Sequence, residues 1–104
     1  MKRMMFAAAA AFSIVTASSA FAATEYNSPG GDPLYAQCLA TSLNRYTGGG
    51  EPSPVAGQTK VQAFCTCMWN ETPDNFKANL ALYSESPAGA AMNKMCEKHS
   101  GWEG

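Results

Sequence analysis

Basic charge is scarce in this sequence. Only seven of its 104 residues are Lys or Arg, against eight Asp or Glu, and there is a single histidine. A protein that holds nucleic acid by neutralising phosphates needs a basic face, and this composition supplies none. No second apolar run follows the first one, at the front of the chain, that approaches the roughly 20 residues of a membrane-spanning helix. Also missing are a nucleophile motif, a glycine-rich phosphate loop behind a strand, and paired carboxylates on one helical face, so neither a catalytic centre nor a cofactor is predicted. No segment alternates as a strand would, and no internal repeat is present.

What is there begins with a leader. MKRMMFAAAAAFSIVTASSAFAA sets Lys2 and Arg3 before an apolar stretch from Met4 to Val15 and ends in small residues, the layout of a secretory signal peptide. Ala20, Phe21 and Ala22 fit the small-x-small rule, which predicts a signal peptide over 1–22, cut after Ala22 or one residue later. Removing 22 of the 104 residues leaves 82, enough for one small domain. Lys2 and Arg3 leave with the leader, so five basic residues then face eight acidic ones, a net charge of −3. No cysteine sits at the junction in a lipobox-like setting. The reading is a soluble exported protein, periplasmic or secreted, without membrane insertion.

Four cysteines, Cys38, Cys65, Cys67 and Cys96, follow the leader, and an even number in a short exported chain predicts two disulfides. A domain of this size has too much surface for its core, and covalent staples offset that shortfall. Closing the 27-residue separation between Cys38 and Cys65 contributes about 3–4 kcal/mol on the chain-entropy estimate.

Residues 23–31 are polar and turn-rich, and are predicted to be a flexible lead-in to a helical domain over 32–104. Asp32 before Pro33 marks a first helix start, with the carboxylate as N-cap and proline where its missing donor costs nothing. At 100 degrees per residue Tyr35, Cys38, Leu39, Leu43 and Tyr46 share one broad face, and Gln37, Thr41 and Asn44 the other. This helix ends near Thr47, before Gly48, Gly49 and Gly50. Ser53 and Pro54 repeat the start signal, predicting a second helix to about Asn70, with a stripe of Val61, Phe64, Cys65 and Met68 and with Trp69 beside it. Thr72 and Pro73 predict a third, on which Phe76, Leu80 and Tyr83 align. Ser86 and Pro87 predict a fourth, closed by Gly101, unless the last two form one helix kinked at Pro87. The fold class is therefore all-α, three to four short helices stapled by two disulfides.

Residues two apart on a helix point about 200 degrees from one another, so Cys65 and Cys67 need different partners. A bond between the two would close a small, strained ring. Two connectivities remain: Cys38–Cys65 with Cys67–Cys96, or Cys38–Cys67 with Cys65–Cys96. Either makes the second helix the central stave.

The pattern C…CxC…C, carried here by Cys38, by FCTCMW over 64–69 and by MCEKH over 95–99, resembles a loose group of small exported bacterial helical proteins. The resemblance covers the cysteines and their spacing. It implies a fold and carries no activity.

Three chemistries compete with plainer roles. Met92, Met95, Cys96 and His99 recur at i, i+3, i+4 and i+7, and Cys65, Cys67 and Met68 add sulfur, a donor set that suits copper in its soft Cu(I) state if the cysteines are reduced. The plainer reading makes Met92, Met95 and Cys96 a core stripe, with Asn93, Lys94, Glu97 and Lys98 on the polar side, and we assign no metal ligand. His99, the obvious general base, sits where a helix C-terminus favours a cation, and its neighbour Ser100 completes no motif. Cys-x-Cys as a redox pair has only Lys60, seven residues before Cys67, to lower a thiol pKa, whereas both cysteines flank an apolar stripe. Trp102, past the last helix, either folds back over the core or anchors a partner. The sequon Asn70-Glu71-Thr72 precedes a proline behind a bacterial-type leader and is set aside. The sequence thus predicts a non-enzymatic binding or interaction protein, inhibitor-, immunity- or stress-related, whose partner is another protein. A soft-metal binder using Met92, Met95, Cys96 and His99, and a thiol redox partner, are the alternatives.

Overall fold

The computed structural model describes residues 25–103. The predicted signal peptide lies outside the described residues. Helix α1 (Pro33–Arg45) starts as predicted. The Asp32 carboxylate accepts the Leu34 N–H at 2.9 Å, satisfying one of the donors that every helix start leaves open. Arg45 lies in its last turn, a cation against unpaired carbonyls. Leu43, expected on the buried face, is 53% exposed, and Ser42 lies inside instead. Its hydroxyl is 3.9 Å from the sulfurs of both Cys38 and Cys65, a separation at which only a small side chain fits beside the staple.

The start of α2 is a correction. The helix is Lys60–Glu71 and its N-cap is Thr59, six residues after the predicted Ser53. Ser53 does cap, but a turn: its hydroxyl accepts from the Val55 N–H at 3.0 Å and donates to the Gln58 carbonyl at 2.8 Å. Gly57, at φ 82°, then takes a left-handed conformation that a helix does not continue through. Thr59 and Gln62 form a reciprocal capping box, with Gln62 N–H to Thr59 Oγ1 at 3.4 Å and Thr59 N–H to Gln62 Oε1 at 2.8 Å.

A second correction concerns the next helix. Thr72 serves the end of α2, donating its hydroxyl to the carbonyls of Met68 at 3.1 Å and Trp69 at 3.2 Å. The chain after Pro73 turns without becoming helical, and α3 (Leu80–Ser84) is opened by Asn79, which accepts from the Leu82 N–H at 3.0 Å. Phe76, outside the helix, still meets Tyr83 edge-on at 5.0 Å. The fourth helix keeps its predicted borders: Ser86 caps a 3-10 turn, Pro87–Gly89, that runs into α4 (Ala90–Ser100). Gly101, at φ 69°, closes it in the left-handed conformation favoured there. The turn at Glu85–Ser86 separates α3 from α4, so the two do not form one kinked helix.

Helix α2 is the centre. Val61 and every residue from Ala63 to Met68 are buried. Cys38–Cys65 ties α1 to one flank and Cys67–Cys96 ties α4 to the other, with Cα separations of 5.8 and 5.6 Å. Burying Met68 and Leu80, both fully covered, stabilises the fold by about 2 kcal/mol each. Trp102 folds back, 6% exposed, its indole N–H donating to the Thr47 carbonyl at 2.7 Å. Among the described residues no helix is long and apolar enough to cross a membrane.

Candidate functional site

The disulfides dispose of much of the predicted sulfur chemistry. All four cysteines are bridged and completely buried, so Cys65, Cys67 and Cys96 offer no thiolate. Of the predicted soft ligands on α4, Met92 packs half-buried against the core. Met95 is 42% exposed, which departs from the predicted core stripe. Among the described residues no three His, Cys, Asp or Glu side chains come together as a metal site would need. Lys60 pairs with Glu51 at 2.9 Å.

His99 lies in the last turn of α4. Tyr26 meets its ring edge-on at 5.0 Å, and partial burial pushes its pKa below the usual imidazole value. Tyr26 also donates to Glu71 Oε2 at 2.7 Å and touches the Cys67 sulfur at 3.4 Å. Burial, and next the bond to Glu71, push the phenol pKa up. Beside it, Asn27 and Asn70 exchange two hydrogen bonds, Asn27 N–H to Asn70 Oδ1 at 3.0 Å and Asn70 Nδ2 to the Asn27 carbonyl at 2.9 Å. The described part of the predicted lead-in is therefore attached to α2 and α4, and the sequon asparagine has a structural role. Ser100 is buried and bonded within the helix end, to the Glu97 carbonyl and the Trp102 N–H, each at 3.2 Å.

A small, mostly apolar cleft lies on another side. Tyr46, Phe64 and Trp102 wall a cleft of about 90 Å³, together with Ser84, Glu85, Asn93 and Glu97. Each wall residue comes from a different part of the chain. Tyr46 ends α1, Phe64 is on the buried face of α2, and Trp102 reaches back from beyond α4 through its bond to Thr47. The Tyr46 and Phe64 rings both stand nearly perpendicular to the indole, at 85° and 88°, each with centroids 5.9 Å away. This edge-to-face arrangement suits ring quadrupoles and packs the buried Phe64 and Trp102 rings together.

The rim is acidic. Glu85 is clamped by Arg45, whose Nε and Nη2 donate at 2.7 and 2.6 Å, and by the Tyr46 hydroxyl. The guanidinium, then the phenol, hold the Glu85 carboxyl below its ordinary range; burial, then the bond to Glu85, raise Tyr46. Glu97 is half-buried and accepts only from the Asn93 amide, at 3.2 Å, and among the described residues it enters no ion pair. Two carboxylates and no basic side chain line the cleft, while Glu97 also borders a neighbouring depression that Lys94 and Lys98 line.

Of these residues the sequence pointed to Trp102 as a fold-back or an anchor, and to Tyr46 and Phe64 only as core. Glu85 and Glu97 had no local signal, since nothing in their neighbours says that they share a rim. Comparison with protein-family models, with curated proteins and with solved structures finds no match to this chain.

Proposed function

We propose that this is a small exported protein, periplasmic or secreted, that works without catalysis by binding a partner protein, in an inhibitor-like, immunity-like or stress-related role. The observation that carries the reading is the cleft itself, an aromatic wall and an acidic rim assembled from α1, α2, α3, α4 and the C-terminal turn on a doubly stapled frame. Such a frame holds side chains in place at little entropic cost on binding. The leader supports export, and bridged cysteines are in keeping with an oxidising compartment. The soft-metal alternative needs Cys96 as a thiolate, and Cys96 is bonded to Cys67; a thiol redox partner would have to open a bridge whose cysteines are fully buried, which a mild dithiol tests.

Site-specific photo-crosslinking in the producing cell tests this. A crosslinker replacing Leu82, an exposed side chain one turn from Glu85, is expected to capture one discrete protein. At Gln37, nine residues and therefore half a rotation from Tyr46 on α1, it is expected to capture none. Mass measurement of the protein from the periplasm or medium is expected to show a chain starting at Ala23 or Thr24. Equal capture from both positions, or substrate turnover abolished by His99→Gln, overturns the reading.

A further inference from the structure

We propose that residues 25–28 form a removable strap over the Cys67–Cys96 bridge, and that lifting the strap lets a dithiol open this bridge while Cys38–Cys65 stays closed. The inference does not rest on the interaction reading above. It starts from what covers the two staples, whose cysteines are all fully buried. Over Cys38–Cys65 lies Ser42, 3.9 Å from both sulfurs. Ser42 is one turn from Cys38 on α1, so that cover moves only if α1 itself undocks. Over Cys67–Cys96 lies Tyr26. Its oxygen is 3.4 Å from Cys67 Sγ and donates at 2.7 Å to Glu71, one turn from Cys67 on α2. Its ring stands edge-on to His99, one turn from Cys96 on α4, at 5.0 Å. The tyrosine therefore spans the two helices that this bridge joins, and being half-buried it borders water as well as sulfur.

What holds the strap is local. Residues 25–28 belong to no helix, and Glu25, Asn27 and Ser28 are exposed. Beyond Tyr26 the attachment is Asn27, whose N–H and carbonyl pair with the Asn70 side chain at 3.0 and 2.9 Å. Between the strap and α1, a Cβ added at Gly30 or Gly31 would meet nothing within 4 Å, so this stretch moves without repacking the core. Few groups must part to lift such a segment, which places it at the low end of local stability. Burial and the Glu71 bond raise the phenol pKa, so Tyr26 keeps its donor proton at the mildly alkaline pH where thiols ionise. With Tyr26 lifted, one thiolate of the dithiol attacks a sulfur of the bridge. The S–S bond breaks, and the other cysteine leaves as a thiolate and takes up a proton. The second thiol of the dithiol then displaces the mixed disulfide, leaving Cys67 and Cys96 reduced and the dithiol oxidised to its own disulfide. Opening this bridge releases α4 from its covalent tie to α2, and α4 leads directly into Trp102, a wall of the cleft. The strap thus guards a redox switch that acts on the cleft from the opposite end of the chain.

The test uses the oxidised protein as isolated from the producing cell, folded, with dithiothreitol at about pH 8. Samples are quenched with acid, alkylated and mapped by mass spectrometry. Only molecules that have lost a single bridge are scored, because losing one staple destabilises the domain around the other. Tyr26→Ala is expected to speed first opening at Cys67–Cys96 at least tenfold and to change Cys38–Cys65 less than twofold. Asn70→Ala, which removes both bonds to Asn27, is expected to act in the same direction, at least threefold. Leu80→Ala loosens the core without touching the strap and is expected to speed both bridges alike, the mark of general destabilisation. A wild-type rate at Cys67–Cys96 in Tyr26→Ala, equal acceleration of both bridges by Tyr26→Ala, or a Leu80→Ala profile matching that of Tyr26→Ala overturns the proposal.

Discussion

Helices α2 and α3 reach the same core by different means. Twelve residues long, α2 is buried along most of its length and covalently tied on both flanks. Helix α3 has five residues and no cysteine, and holds its place through Leu80, Ala81 and Ser84 inward, the Asn79 cap at its start and the Glu85–Arg45 pair just past its end. An isolated helix of five residues is far below the length that sustains itself in water. The contrast teaches where this small protein places its covalent bonds: on the central helix and the two it carries, while the element that shapes the cleft rim is held by Leu80, Ala81 and Tyr83 packing and by polar contacts.

That contrast predicts a ranking. Opening either staple by a paired Cys→Ser replacement, at Cys38 and Cys65 or at Cys67 and Cys96, is expected to cost about 3–4 kcal/mol in denaturant unfolding. A loss below about 1 kcal/mol would mean that α2 is held by packing and that the contrast is only apparent. Leu80→Ala is expected to cost about 3 kcal/mol through lost burial and the cavity left behind. It should loosen α3 first, so amide exchange over 80–84 is expected to rise before exchange over 63–68 does.

Cap removal separates the two helices more finely. Asn79→Ala and Thr59→Ala each delete one side-chain bond to a helix start and should each cost about 1 kcal/mol. The readout that sharpens the comparison is local: Asn79→Ala is expected to fray most of α3, Thr59→Ala only the first turn of α2. Equal fraying of both would place their local stabilities together.

The smallest effects come with pH. His99 has its pKa lowered by burial from 6.5, so below 6.5 the unfolded chain takes up a proton that the folded one resists. Stability is full above that pH and falls as pH drops toward the folded value. His99→Gln should abolish this phase and leave a second one. Glu85, lowered from 4.5 chiefly by the Arg45 bond, contributes stability above 4.5 that is lost as pH falls through its folded value. Acid titration followed at Tyr26 and at Tyr46 is expected to show the α4 side responding first and the α3 rim later. A single transition at both sites would remove the distinction.

Legibility in the sequence followed the range of each interaction. Asp32-Pro33, Ser86-Pro87 and Gly101 marked helix ends correctly because capping is settled within three or four residues. The same kind of signal misled at Ser53-Pro54 and Thr72-Pro73. A serine or threonine beside proline equally suits a turn or the end of the preceding helix, and the groups that decide, Gly57 with the Thr59–Gln62 box in one case and the Met68 and Trp69 carbonyls in the other, lie three or more residues away from the dipeptide. The exposure of Leu43 had no local cause at all; it follows from how closely α1 approaches α2 at Ser42.

By itself the sequence determined that the domain is helical and doubly stapled, and that Cys65 and Cys67 bond to different helices, because the angle between neighbours two apart is a property of one helix. Tertiary structure alone decided that Cys38 takes Cys65 and Cys96 takes Cys67, since that depends on which flank of α2 each helix docks against. It alone also brought Tyr46, Phe64, Glu85, Glu97 and Trp102 to one cleft. Those residues are strung along more than half of the described chain, and no local rule of sequence relates them; what does is the packing of α1, α3 and α4 around a single buried helix.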